Sequence, residues 1–246
     1  MSSEPIWARP HPGQRRPAHS REKIAEAALR IADAEGFEAV SMRRVAAELG
    51  AGTMTLYHYV RTKDELTALM ADAIMGELLV PDDEVPAGWR EGMAEIARRT
   101  NAIFVRHPWI VEHLDDDENE GPGGPNALRH VEQSLAVASR SGLDVDEQFE
   151  LVALVDDYVF GHAIRARELG QAEGRTGAEQ RLDAVVGYLE TQLQTGEFPH
   201  LEAIAGDDPR AGFERIMGLA ADEGRFERGL QRLLDGIELW LARRGV

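Results

Sequence analysis

The chain has 246 residues, 43% of them apolar, enough for a buried core and, at ~100 to 200 residues per domain, for one or two domains. It has no cysteine, which excludes disulfides, thiolate-ligated zinc and thiol catalysis, and an aromatic share of 6% beside abundant Ala, Leu, Glu and Arg points to helices rather than sheets. A net charge of −17 argues against nucleic acid until its distribution is read: the first 63 residues hold ten Lys/Arg and seven Asp/Glu, a net of +3, and the remainder carries −20.

A mildly basic front on an acidic body suits a small DNA-reading domain on a body that faces away from DNA, and it equally suits chance variation. No apolar run approaches the ~20 residues that cross a bilayer, and the N-terminal stretch lacks a continuous apolar segment. The protein is therefore expected to be soluble, cytoplasmic and without a membrane partner.

Residues 1–19 contain four prolines and Arg9, Arg15 and Arg16, the composition of a flexible basic arm. Ser20 then caps a helix with Ile24, Ala27, Ala28 and Ile31 on one face, and Gly36 ends it. A second, two-turn helix starts at Ser41, buries Met42, Val45, Ala46 and Leu49, and stops at Gly50. Ala51 and Gly52 make the next turn, Thr53 caps a third short helix over Met54 to Val60, and Thr62 with Glu65 forms a capping box for a fourth helix from about Lys63. Leu66, Leu69, Met70, Ala73 and Ile74 are its core stripe, and it ends before Pro81.

The reading stays helical beyond that point. Trp89, Met93, Ile96, Ile103 and Phe104 mark one helix, and Pro108 starts a short one. The acidic stretch from Asp115 to Pro125 reads as a loop. Further helices follow through Leu128, Val131 and Leu135; Leu151, Leu154, Val155, Tyr158 and His162; and Leu182, Val185, Val186, Leu189 and Leu193. The last carries the seam Phe226, Leu230, Leu233, Leu234, Ile237 and Leu241.

Two short helices joined by a tight Gly-containing turn, with longer helices before and after, form a helix-turn-helix pattern, whose second short helix enters the major groove N-terminus first. Thr53, Met54 and Thr55 would then meet base edges or a thymine methyl, and Arg43 is the candidate for a bidentate guanine contact. Tyr57, His58 and Tyr59 would reach phosphates, while Leu56 and Val60 turn inward. Lys63, at a helix N-terminus, would clamp a phosphate. The ordinary alternative makes Tyr57 and Tyr59 core packing and Lys63 a solvated side chain.

The stretch from Ser20 to Ile74, above all "TLYHYV" followed by "KDEL", resembles the DNA-binding domain of the TetR family of transcriptional regulators. The segments "RHPWIVEHL", "LVDDYVFGHAIRARE" and "RFERGLQRLLDGIELWLA" are similar to the C-terminal domain of its tetracycline-repressor-type members. The resemblance implies an all-α chain: a flexible arm over 1–19, a three-helix DNA-binding domain over 20–66, and a helical effector-binding and dimerisation domain over 67–246, joined by the fourth helix. It implies a homodimer whose helices near Glu147 to Gln171 and Arg225 to Arg243 pack with their mates, the seam at Phe226, Leu230, Leu233, Ile237 and Leu241 forming the contact; burial within one chain is the alternative. It also implies repression at a palindromic double-stranded DNA operator and release by a small-molecule effector. Trp89, Phe104, His107, Trp109, His113, His130, Tyr158 and His162 are candidates for the effector site, each with core or surface packing as its alternative. The magnesium-bound drug site of the tetracycline repressor is not carried over, so neither cofactor nor metal is expected.

Two other classes compete. An enzyme is disfavoured because HExxH, GxSxG, P-loop and GxGxxG patterns are absent, and Asp115 to Asn126 has Glu120 and Asn126 where a calcium loop needs Gly and Glu. A ligand-binding or interaction protein of the same fold would have lost the basic and threonine positions, yet Arg43, Thr53, Thr55, Tyr57 and Lys63 are present.

Overall fold

A computed structural model describes residues 6–9, 19–112, 123–174, 177–222 and 224–245. Arg15 and Arg16 of the expected arm, His113, and residues 115–122 of the acidic loop lie outside them. Among the described residues every regular element is a helix. These are α1 (Arg21–Glu35), α2 (Met42–Glu48), α3 (Thr53–Leu56), α4 (Lys63–Leu78), α5 (Trp89–Arg106), α6 (Pro125–Ala138), α7 (Val145–Gly174), α8 (Ala178–Leu193), α9 (Pro199–Ala205), α10 (Pro209–Ala221) and α11 (Gly224–Arg244).

The helix starts follow from local hydrogen bonding. Ser20 and Ser41 accept from the amides of Lys23 and Arg44, at 3.3 and 3.2 Å, and Thr62 accepts from that of Glu65 at 3.1 Å. Glu65 completes its capping box one residue early, accepting from the Arg61 amide at 2.7 Å. Gly36 and Gly50 end their helices with φ of 88° and 63°, a region that a Cβ disfavours. The third helix is shorter than expected. It spans Thr53–Leu56, begins after Gly52 rather than being capped by the Thr53 side chain, and continues as turns through Tyr59.

Two compact units are present, one of Met1–Phe160 with Ile237–Val246 and the other of Gly161–Gly236. In the first, Ile24, Ile31, Val45, Leu56, Val60, Leu66 and Met70 form a core with almost no exposure. Each such side chain contributes ~1.5 to 3 kcal/mol on leaving water, which fixes the short α2 and α3 despite their length. Residues 6–9, expected in the flexible arm, are docked instead. Ile6 is 3% exposed within that core, and the buried Arg21 guanidinium donates to the carbonyls of Ile6 and Arg9 at 2.9 and 3.2 Å. An apolar Ile-Trp pair inside a Pro-rich arm has burial to gain, which its composition as a whole conceals.

Contacts set the order of the next helices. Asn126 of α6 meets Asp72 on α4, and Gln133 exchanges two hydrogen bonds with the backbone of Val80, so α6 runs parallel to α4. Arg99 reaches the Leu79 carbonyl while His107, past the end of α5, reaches Glu77, so α5 runs the other way. The buried side of α6 differs from the one expected. Leu128 and Val131 are 67% and 48% exposed, whereas Ser134, Val137 and Ala138 are buried. In the second unit, α10 packs on α8 and α9. Both carry short apolar stripes, Leu201, Ile204 and Ala205 on α9 and Phe213, Met217 and Ala220 on α10, and Pro199 in the first turn of α9, with Asp208 accepting from the Ala211 amide before Pro209, marks where they start.

Candidate nucleic-acid interface

The turn after α2 and the inward pull of Leu56 and Val60 decide which residues around α3 face outward. Leu56 and Val60 are fully buried, Met54 is 75% exposed, and Thr55, Tyr57 and His58 are exposed beside it. Thr53 is half-buried at the start of the helix. Tyr59 departs from the set: its ring is half-buried against the core, and its carbonyl accepts from Arg21 Nε at 3.4 Å. Its position, two residues after Tyr57 and one before buried Val60, turns it inward, so the packing alternative holds for one tyrosine of the two.

Arg43 and Arg44 have different surroundings. Arg44 is tied to Glu35 at 2.6 Å and Glu48 at 3.2 Å; these carboxylates raise its pKa, and it lowers that of Glu35. Arg43, on the exposed side of α2, is outside that cluster. Lys63 is exposed at the first turn of α4, its ammonium 5.4 Å from the centre of the Phe37 ring.

That ring begins a chain of contacts that the sequence does not announce. Phe37 stacks on Trp109 with centroids 5.4 Å apart. Trp109 Nε1 donates to Asp33 Oδ1 at 2.8 Å, and His107 Nδ1 lies 2.6 Å from the same oxygen. His107 Nε2 is 3.5 Å from Glu77 on α4, which also pairs with Arg106. His107 and Trp109, expected in an effector site, thus join the end of α5 to α1 and α4. Asp33, Phe37 and Glu77 are functional candidates that periodicity could not find, since on a helix or in a turn each reads as an ordinary surface residue. A second tie lies nearby: buried Asp72 accepts from the amides of Asn126 and Ala127, at 2.8 and 3.2 Å, at the positive end of the α6 dipole.

The remaining effector candidates are dispersed. Trp89 is half-buried at the start of α5, and Phe104 meets Phe160 edge to face at 5.3 Å. His130 and Tyr158 are half-buried on α6 and α7. His162, in the second unit, packs on the ring of Phe226 at 5.2 Å, and burial, followed by the positive Arg225, lowers its pKa. A cleft of about 990 Å³ opens between Leu79, Val80 and Val85 on one side and Leu128, Arg129 and Gln133 on the other, and none of the seven expected residues that are described lines it. Among the described residues no group of three His, Asp or Glu side chains could hold a metal ion. No helix there is long and apolar enough to cross a membrane.

The residues of the expected dimer seam are largely covered within the single chain. Phe226, Leu230, Ile237 and Leu241 are buried within their own chain and Leu233 half so, because their spacing along α11 serves an intrachain face. Exposed apolar side chains stand elsewhere: Phe149 (62%) and Leu154 on α7, and Leu239 and Trp240 (45%) on α11. Arg244 covers Trp240 at 4.7 Å and pairs with Glu147, which brings these ends of α7 and α11 together.

Comparison with known proteins agrees with this geometry. The family model described as bacterial regulatory proteins, tetR family, matches residues 24–70, and that of the tetracyclin repressor-like C-terminal domain matches 81–241. The HTH-type transcriptional repressor DrrR1 of Streptomyces coeruleorubidus is 37% identical over 98% of this chain and 86% of its own length. An HTH-type transcriptional regulator of Saccharopolyspora erythraea is 28% identical over 94% of this chain and 90% of its own. Among solved structures, the TetR family protein ActR of Streptomyces coelicolor in complex with actinorhodin has a TM-score of 0.68 at 32% identity, covering 89% of this chain and 94% of that one. The chain belongs to the tetR family of bacterial regulatory proteins, and it is a DNA-binding transcriptional repressor of the ligand-responsive kind.

Proposed function

We propose that the protein acts as a homodimer that presents two copies of the segment 20–66 to a palindromic operator, and that a small molecule bound by the segment 67–246 releases it. The observation that carries the reading is the exposed set around α3. Met54, Thr55, Tyr57 and His58 stand outward around a helix anchored by fully buried Leu56 and Val60, and Arg43 on α2 and Lys63 at the start of α4 are exposed as well. Arg43, Thr53, Met54 and Thr55 read bases; Tyr57, His58 and Lys63 hold phosphates, and Tyr59 supports the helix from beneath. The second copy seats on Phe149, Leu154, Leu239 and Trp240, which are among the apolar side chains that the single chain leaves uncovered.

Ligand response needs the body to prefer one placement of the head over another. The contacts from Lys63 through Phe37, Trp109, Asp33 and His107 to Glu77 supply a physical link, because they tie the end of α5 to both α1 and α4. Actinorhodin, the ligand of the ActR relative, is one molecule to try as effector. Footprinting on the DNA flanking the protein's own gene tests the reading: a protected palindrome is expected, and binding without sequence preference at modest salt overturns it.

A further inference from the structure

Residues 6–9 touch both the reading head and the start of α6. Ile6 is buried in the core of the head, and the carbonyls of Ile6 and Arg9 both accept from Arg21 Nη1, at 2.9 and 3.2 Å. Arg9 Nη2 lies 2.5 Å from Glu65 Oε1, an ion pair by distance that is not aligned as a hydrogen bond, and the two side chains are only 10% and 18% exposed. Trp7 faces the other way. A Cβ on Gly124, the residue before α6, would stand 2.6 Å from Trp7 Cζ2 and 2.3 Å from Asp72 Oδ1, so the edge of the indole lies against bare backbone beside the Asp72 tie.

Two routes lead from these residues to the turn behind α3. Arg21 Nε donates to the Tyr59 carbonyl at 3.4 Å, and Glu65 Oε2 accepts from the Arg61 amide at 2.7 Å. Each end of the turn 59–61 is thus held by a side chain that residues 6–9 hold. Arg9 and Arg61 also face the Arg21 guanidinium, together with the carboxylates Glu65 and Glu22. The least exposed of these groups, Arg9, Arg21 and Glu65, tolerate little displacement, because a misplaced partner leaves the other desolvated and unpaired. With four residues, α3 cannot set its own direction, since a single helical turn is not stable alone. Its aim depends on the turns that flank it.

We infer that residues 6–9 are a strap that positions the reading head for the operator: Arg9, Arg21 and Glu65 hold the turn behind α3, and Trp7 fixes the strap to the start of α6. These are positioning residues, which act through the turn 59–61 and not by touching DNA. The inference rests on the reading of the exposed set around α3 as the DNA-contacting face.

The test uses the full chain, a duplex that the wild-type protein selects from a random pool, and a scrambled duplex of the same composition. Binding is compared at a temperature where circular dichroism shows every variant folded. Trp7→Ala, Arg9→Ala and Glu65→Gln are each expected to weaken binding of the selected duplex by ~10-fold, while binding of the scrambled duplex and the salt slope stay as they were. The sign for Glu65→Gln is diagnostic: glutamine can serve the same cap, and removing a negative charge near DNA would by charge alone tighten binding of both duplexes. Trp7→Phe should keep most of the affinity. The double variant of Trp7→Ala and Arg9→Ala should bind no more weakly than either single one, because both release one strap. A salt slope lowered by about one in Arg9→Ala makes Arg9 a phosphate ligand and overturns the inference. So do unchanged binding of the selected duplex in any of the three variants, tighter binding by Glu65→Gln, equal losses on both duplexes, or losses that add in the double variant. A wild-type chain that selects no duplex refutes the DNA-contacting reading itself, and the role of the strap with it.

Discussion

At the scale of single residues, exposure and pairing separate side chains that look alike in the sequence. Arg43 and Arg44 are adjacent, but Arg44 is held by two carboxylates and Arg43 is not in that cluster. Arg43→Ala should therefore lower the affinity for the cognate operator by ~1 to 3 kcal/mol and relax selection at one base pair, whereas Lys63→Ala should weaken all sequences alike and reduce the salt slope. Competition binding with operator variants over a salt series checks both, and equal effects would refute the division of roles. Asp156 carries a pH prediction. Burial, and then its neighbour Asp157, push its carboxyl up to about 6, above the ordinary 3.8. A raised carboxyl binds its proton more tightly in the folded state, so its contribution is fully present below the ordinary pKa and fades as pH rises through about 6. Asp156→Asn should accordingly stabilise the protein at pH 7.5, by ~1 to 2 kcal/mol after allowance for solvent screening, and the gain should vanish near pH 4 in urea titrations.

At the scale of elements, caps and inter-helix ties do more than intrinsic propensity. The start of α4 was legible: Thr62 accepts from the Glu65 amide as a capping box requires, and only the return bond of Glu65 falls one residue early, on the Arg61 amide. Thr62→Ala should cost about 1 kcal/mol, read as a shift in urea midpoint at constant m. The face of α6 was not legible, because Leu128 and Val131 are at helical spacing and a helix packed on two neighbours can bury its small and polar side instead, here Ser134 and Ala138. The joint at Asp33 was equally hidden, since its partners Trp109 and His107 lie 76 and 74 residues away. In a double-mutant cycle, Asp33→Ala and Trp109→Phe should be non-additive in stability by ~0.5 to 3 kcal/mol; additivity would mean that the indole N–H and the carboxylate do not act together.

At the scale of the whole molecule, an apolar face must be covered, and which copy covers it depends on the fold. The seam of α11 meets that demand inside one chain, whereas Phe149, Leu154, Leu239 and Trp240 stay exposed, and the proposed second copy would seat there. Trp240→Glu places a charge in that surface. The variant is expected to elute as a monomer in size-exclusion chromatography, to keep its helical circular dichroism, and to lose most of its affinity for a full palindrome; Leu233→Glu, on the half-buried flank of the seam, should destabilise the monomer itself.

The sequence by itself determined the helical class, the caps at Ser20, Ser41 and Thr62, the inward Leu56 and Val60, and the family, because each rests on interactions within a few residues or on a motif carried intact by the chain. Only the tertiary structure decided that Tyr59 turns inward, that Ile6 docks, that His107 and Trp109 serve a joint, and that α11 spends its apolar seam on its own chain. An amphipathic stripe states that a face will be buried, and distant residues settle what buries it.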